Sequence, residues 1–196
     1  MRLTIDERGY ANLARQLRSP NRDARPLGTA VTLVVVHGIA LPPHEFGGKA
    51  IIDLFLNRLD PDAHPYFATI ATLRVSAHFL VRRKGELLQF VGCDERAWHA
   101  GASVWKGRAQ CNDFSIGIEL EGADDVAYTA VQYTMLARLA RALRHRYPIV
   151  DIVGHSDIAP GRKTDPGPSF DWARIARLLA PTTPRRSPDS RRPGGR

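Results

Sequence analysis

Apolar residues in this chain fall into short runs and longer helical stripes, separated by turns rich in glycine and proline. The run VTLVVVH at 31–37 is apolar on both alternating faces, which predicts an interior strand covered on each side. At 74–82 the period is two. Val75, Ala77, Phe79 and Val81 point one way, and Arg74, Ser76 and His78 the other, predicting a strand with one polar face. Lys84, Gly85 and Glu86 read as a hairpin turn into the next strand. FSIGIELE at 114–121 sets Phe114, Ile116, Ile118 and Leu120 against Ser115, Gly117, Glu119 and Glu121, so two carboxylates share a face. The spacing of Thr129 and Gln132 is that of a capping box. It predicts a helix with Tyr133, Leu136, Ala137, Ala140 and Leu143 on its buried stripe, ending near Tyr147 and Pro148. A short buried strand is expected at 149–155, and a last helix at 170–179 with Trp172, Ile175, Ala176 and Leu179 inward. Strands and helices that alternate in this way predict an α/β domain over residues 1–180.

Composition narrows the class further. With 196 residues, 43% hydrophobic and 24% charged, the chain can bury about 70% of its unfolded surface in one core. No window approaches the roughly 18 unbroken apolar residues of a membrane span, so no membrane insertion is expected. Asp6, Glu7 and several arginines interrupt the first twenty residues, which argues against a secretory leader and makes the cytoplasm the expected compartment. Two cysteines, Cys93 and Cys111, are no disulfide framework and read as small buried apolar groups. The net charge is +8, and half of it lies at 181–196, where PTTPRRSPDSRRPGGR holds five arginines and one aspartate. That composition predicts a disordered basic tail. The tail has no interleaved aromatics for stacking on bases, so no nucleic-acid partner is expected.

Three metal-capable side chains stand out. His37 and His155 each close a predicted strand, and Asp165 follows ten residues later in the loop SDIAPGRKTDPGPS. Their spacing fits no short zinc signature, and it reads equally as two capping histidines and a turn aspartate. If they converge, two imidazoles and one carboxylate leave a fourth tetrahedral position open, which is the pattern of a catalytic zinc ion (Zn2+) rather than a structural one. Such an ion makes hydroxide available near neutral pH, which suits hydrolysis. Lys163 falls on the same side as Asp165 in extended backbone and could stabilise an oxyanion. Glu119 could serve as general acid and base, while Glu121 reads as a solvated side chain. His78 is an alternative third ligand. Trp98 and His99, in RAWHAG, read either as core or as a flat wall for a sugar and peptide substrate.

The segments VVVHGIALPPHEFGG, DPDAHP, LRVSAHFLVRRKGELLQFV, RAWHAGASVWKGR, CNDFSIGIELEG and GHSDIAPGRKTDPGPSFDW follow one another from residue 34 to residue 172. Together they resemble the zinc-dependent N-acetylmuramoyl-L-alanine amidases of the amidase type 2 and peptidoglycan recognition protein group. The resemblance is strongest to the cytosolic branch that acts on 1,6-anhydro-N-acetylmuramyl peptides in cell-wall recycling. It implies a mixed central β-sheet flanked by helices. It implies zinc on His37, His155 and Asp165, Glu119 as general acid/base, and Lys163 at the oxyanion. The implied reaction is hydrolysis of the amide between the lactyl group of N-acetylmuramic acid and L-alanine of the stem peptide, with an anhydro-muropeptide as the partner of an enzyme expected to be a monomer. Arg74, Trp98, His99 and Arg108 are the candidate substrate contacts. Two positions depart from the family pattern: Gly38, where asparagine is usual, and Gln110, where a basic residue often stands. Two other classes remain in view. One is a non-catalytic muropeptide-binding sensor, and the other is a glycosidase using Glu119 and Glu121 as a carboxylate pair.

Overall fold

Two short strands, β1 (Arg15–Gln16) and β2 (Arg22–Ala24), lead into the apolar run, which forms β3 (Leu33–Ile39). The computed structural model describes residues 1–181, so the tail expected at 181–196 lies outside the described residues apart from Pro181. Helices α1 (Ala50–Phe55) and α2 (Pro65–Ile70) come next. The second starts on Pro65, which needs no amide partner in the first turn, and His64 caps it by accepting from the Tyr66 amide at 3.1 Å. Strands β4 (Phe79–Val81) and β5 (Leu87–Gln89) make the expected hairpin. After β6 (Glu95–Ala97) and the small ribbon of β7 (Val104–Trp105) and β8 (Arg108–Ala109) comes β9 (Ser115–Glu121). The chain then runs through α3 (Ala130–Arg146), β10 (Asp151–Gly154), α4 (His155–Ile158) and α5 (Trp172–Leu179).

The main sheet has the order β1-β5-β4-β9-β3-β10. Strands β4, β9, β3 and β10 are mutually parallel, and the β4–β5 hairpin is antiparallel, so the sheet is mixed. Parallel strands need covering on both faces. One face packs Val34, Val36, Ile116, Ile118 and Leu120 against Tyr133, Leu136, Ala137 and Leu143 of α3. The opposite face meets α1 and α2 through Leu80, Leu88 and Phe90, and meets the segment around Cys111 and Phe114 through Leu33, Val35 and Val153. Among the described residues, no helix is long and apolar enough to cross a membrane.

The capping box at Thr129 and Gln132 forms as the spacing predicts, and Gln132 does more than cap. Its buried amide donates to the carbonyls of Val81 at 3.1 Å and Glu121 at 2.9 Å, tying the start of α3 to two strands. Elsewhere the structure corrects the expectations. The predicted strand at 74–82 pairs as a ladder only at Phe79–Val81. Ahead of it, Ser76 bonds to the Asn21 carbonyl and His78 to the Gly117 amide of β9, and both are buried, so of the supposed polar face only Arg74 is exposed. Of the buried strand expected at 149–155, only Asp151–Gly154 pairs, at the sheet edge, with Asp151 and Ile152 half-buried. In α5 only Ile175 is fully inward, whereas Trp172 and Ala176 face solvent. The helix packs on the α3 side of the core through Ile175, Leu178 and Leu179 instead.

Gln132→Ala strands two buried carbonyls, each costing about 1–3 kcal/mol. Urea denaturation of this variant is expected to show a loss of about 3 kcal/mol, against about 1–2 kcal/mol for Thr129→Ala, which removes the cap and one bond to the Arg83 carbonyl.

Candidate metal centre and active site

The site grows from strand register. In β3 and β9, His37 stands opposite Glu119. In β10, Gly154 stands opposite Val36, so His155, one step on, emerges beside His37. His155, Glu119 and His37 therefore sit side by side where three parallel strands end, the place where open α/β sheets build sites. Asp165 comes from the loop after α4, which is fastened by the Ser156 amide on the Asp165 carbonyl at 2.9 Å.

The three metal-capable side chains converge. His37 Nδ1 and His155 Nδ1 are 3.0 Å apart, and each lies 3.1 Å from Asp165 Oδ2. Among the described residues they are the one group of histidine, cysteine and acidic side chains arranged to hold a metal ion. Both imidazoles are buried, and the Asp165 side chain keeps 17% of its surface exposed. A carboxylate oxygen only accepts, so an electropositive centre has to lie among these atoms. Two imidazole nitrogens with one carboxylate oxygen form a donor set that suits zinc and leaves one position open. Burial pushes the His37 imidazole down, against the pull of Asp165.

Glu119 and Lys163 line the same cavity, which has a volume of about 300 Å3. Glu119 Oε2 is buried without a hydrogen-bond partner. Burial first, and then the Asp165 charge, push its carboxyl well above the ordinary 4.5, with Lys163 opposing. Trp98, Tyr66 and Leu73 supply apolar wall, and the Trp98 indole N–H is likewise buried and unpartnered. His99 also lines this cavity and lies against His37, with its Nδ1 2.9 Å from His37 Nε2.

Other candidates lie elsewhere. Arg74 is exposed and folds back on the carbonyls of Ala71, Thr72 and Leu73, while its neighbours Leu73 and Val75 line the cavity. Arg108 is exposed on β8, its guanidinium 3.9 Å over the Phe114 ring. His78 is no ligand: Nδ1 accepts from the Gly117 amide at 3.0 Å, and Nε2 lies against Arg25 and the Glu95 carbonyl. Glu121, expected to be solvated, is 2% exposed. It accepts from the amides of Gly47 and Arg83, which fixes two loops and leaves no second carboxylate for a glycosidase. Both cysteines are free and buried. At Gly38 a Cβ would collide with the Tyr128 hydroxyl, which donates to the Pro166 carbonyl at 2.9 Å next to Asp165. The tyrosine thus fills the place of the side chain that Gly38 lacks. Sequence reasoning missed Tyr128, Asn112 and Ser115, because nothing in their spacing marks them.

The model of the family described as N-acetylmuramoyl-L-alanine amidase matches residues 27–168. The chain belongs to the N-acetylmuramoyl-L-alanine amidase family. This amidase is 56% identical over 183 residues to the 1,6-anhydro-N-acetylmuramyl-L-alanine amidase AmpD of Citrobacter freundii, covering 92% of this chain and 97% of that one. The crystal structure of a selenomethionine AmpD derivative superposes with a TM-score of 0.87 at 57% identity, covering 90% of the amidase and 99% of that chain. A complex of the Escherichia coli amidase AmiD with the substrate anhydro-N-acetylmuramic acid-L-Ala-D-γ-Glu-L-Lys has a TM-score of 0.55 at 30% identity, covering 89% of the amidase and 65% of that chain.

The raised Glu119 carboxyl has a measurable cost in metal-free protein. Unfolded Glu119 ionises near 4.5 while the folded group stays protonated, so its contribution to stability falls as pH rises from about 4.5 toward the folded pKa. Glu119→Gln lacks this loss. Thermal melts of metal-free samples are expected to show the variant gaining on the wild type between pH 5 and pH 7.5, and a constant difference across that range would refute the assignment.

Proposed function

We propose that this amidase is a zinc enzyme in which His37, His155 and Asp165 hold the ion, Glu119 is general acid and base, and Lys163 faces the oxyanion. The bond it hydrolyses is the one its family and its relatives are named for, between N-acetylmuramic acid and L-alanine. The observation that carries the reading is the N2O triad, 3.0–3.1 Å on each side, next to a buried carboxylate with a free oxygen. When bound, zinc polarises the amide carbonyl and lowers the pKa of a water toward about 7.

The chain's own groups then divide the work. Glu119 Oε2, free of other partners, accepts the proton of the attacking water. The water oxygen joins the lactyl carbonyl carbon, the C–N bond breaks, and Glu119 returns the proton to the departing L-alanine nitrogen. Burial that raises its carboxyl keeps that proton transferable near neutral pH. Lys163, two residues before Asp165 on the fastened loop, brings positive charge to the carbonyl oxygen as it becomes anionic. Trp98 and Tyr66 flank the cavity as a wall for the sugar and peptide, and the unpartnered indole N–H is a donor for the substrate. We further propose 1,6-anhydro-muropeptides as substrates and the cytoplasm as the site of action, with the enzyme working as a monomer. The relatives' name supports the substrate, and two unpaired buried cysteines accord with a reducing compartment.

Incubation with an anhydro-muropeptide, followed by mass spectrometry, is expected to yield anhydro-N-acetylmuramic acid and free stem peptide. A chelator should abolish the reaction and added zinc restore it; intact substrate with the zinc-loaded protein would reject the assignment in favour of a sensor. Glu119→Ala should lower turnover by about 10²–10⁴-fold while elemental analysis still finds one zinc per chain. His37→Ala and His155→Ala should instead lose stoichiometric metal.

A further inference from the structure

The two imidazoles are gripped from behind by a single dipeptide. His37 Nε2 lies 2.9 Å from His99 Nδ1, and His155 Nε2 lies 3.3 Å from the Ala100 carbonyl. A carbonyl has no proton to give, so His155 must donate from Nε2, which leaves the lone pair at Nδ1 facing Asp165. The His99 arm resolves one bond at a time. Ser115 Oγ lies 2.5 Å from the Cys111 carbonyl and can only donate there. Toward His99 Nε2, at 3.1 Å, the same oxygen is therefore the acceptor. His99 thus carries its proton on Nε2 and accepts at Nδ1 the proton on His37 Nε2. His37, like His155, is left with its lone pair at Nδ1.

The dipeptide is itself immobilised. Asn112 Oδ1 accepts from the His99 amide at 3.1 Å and from the Ala100 amide at 2.8 Å. Gly117 makes the room, since a Cβ there would collide with the His99 ring. Arg162 adds a second donor to the Ala100 carbonyl at 3.0 Å.

We propose that His99 and Ala100, backed by Ser115 and Asn112, form a tautomer lock that compels both ligand histidines to present Nδ1 to the metal. His99 is in this sense a positioning residue, which rests on the zinc reading above but acts before any ion arrives. Outer partners that fix a ligand imidazole typically change metal affinity by about 10–100-fold.

The test uses the full chain, with zinc alone as the probe. In the zinc-free wild type, nitrogen-15 NMR of the imidazoles is expected to show His37 and His155 protonated at Nε2. His37 protonated mainly at Nδ1 would overturn the lock. Competition against a fluorescent chelator should then show His99→Phe binding zinc about 10–100-fold more weakly. His99→Asn, which keeps an acceptor near the Nδ1 position, should recover most of that loss. Equal zinc affinity in His99→Phe and wild type would also overturn the proposal. Should His99→Phe fail to fold, Ser115→Ala decides: it leaves His99 in place but frees its tautomer, so a mixed His37 signal supports the lock and an unchanged one refutes it. Failure of the zinc reading looks different, because the wild type itself would then not retain the ion while its Nε2 protonation stayed as described.

Discussion

Three electron-rich atoms, two imidazole nitrogens and a carboxylate oxygen, are held within 3.0–3.1 Å of one another in a largely buried setting. Without a proton or a cation between them they repel, so the surrounding structure has to supply the restraint. It does so from three separate elements: the end of β3, the first turn after β10, and the loop that follows α4. Parallel pairing with matched register brings the first two together. The loop is held by the Ser156 amide, by Tyr128 on the Pro166 carbonyl, and by the Ser169 amide on the Asp124 carbonyl.

The two faces of the sheet divide stability from chemistry. The face under α3 is apolar without exception among the central strands, and hydrophobic burial there is the main stabilising term. The other face carries Ser115, Glu119, Glu121 and His37, all buried. Of these four residues only Glu119 keeps a buried side-chain atom, Oε2, without a partner, and the Trp98 indole N–H at the same cavity is likewise unpartnered. Orphaned buried polar atoms are costly and uncommon. Two of them beside a metal-capable triad mark the place where the fold gives up stability for reactivity.

Small residues decide what fits between these layers. Gly38 and Gly122 both leave space taken by the Tyr128 ring, and Gly117 leaves space for His99. Arg25, from the irregular N-terminal segment, fills the other side by donating to the carbonyls of Cys93, Asn112, Asp113 and Ser115. The Arg25 contacts join segments 68 to 90 residues apart in sequence. They set the position of 97–115, which in turn backs both His37 and His155.

Local pattern was enough to find β3, β9, the hairpin and α3, because periods of two and 3.6 are properties of short stretches and the capping box spans four residues. The resemblance to the amidases pointed to five residues that the fold brings to one cavity, since those residues lie in recognisable segments. Pattern failed where burial depends on distant partners. Alternation assigned Glu121 to solvent and Ser76 and His78 to an open polar face, yet loops from elsewhere cover all three. It turned Trp172 inward because a helical stripe says nothing about which neighbour it meets. Convergence of His37, His155 and Asp165, the raised carboxyl of Glu119 and the bonds behind the imidazoles belong to tertiary structure alone. They arise from the order in which parallel strands pair and the side on which they end, and no single stretch of chain contains that information.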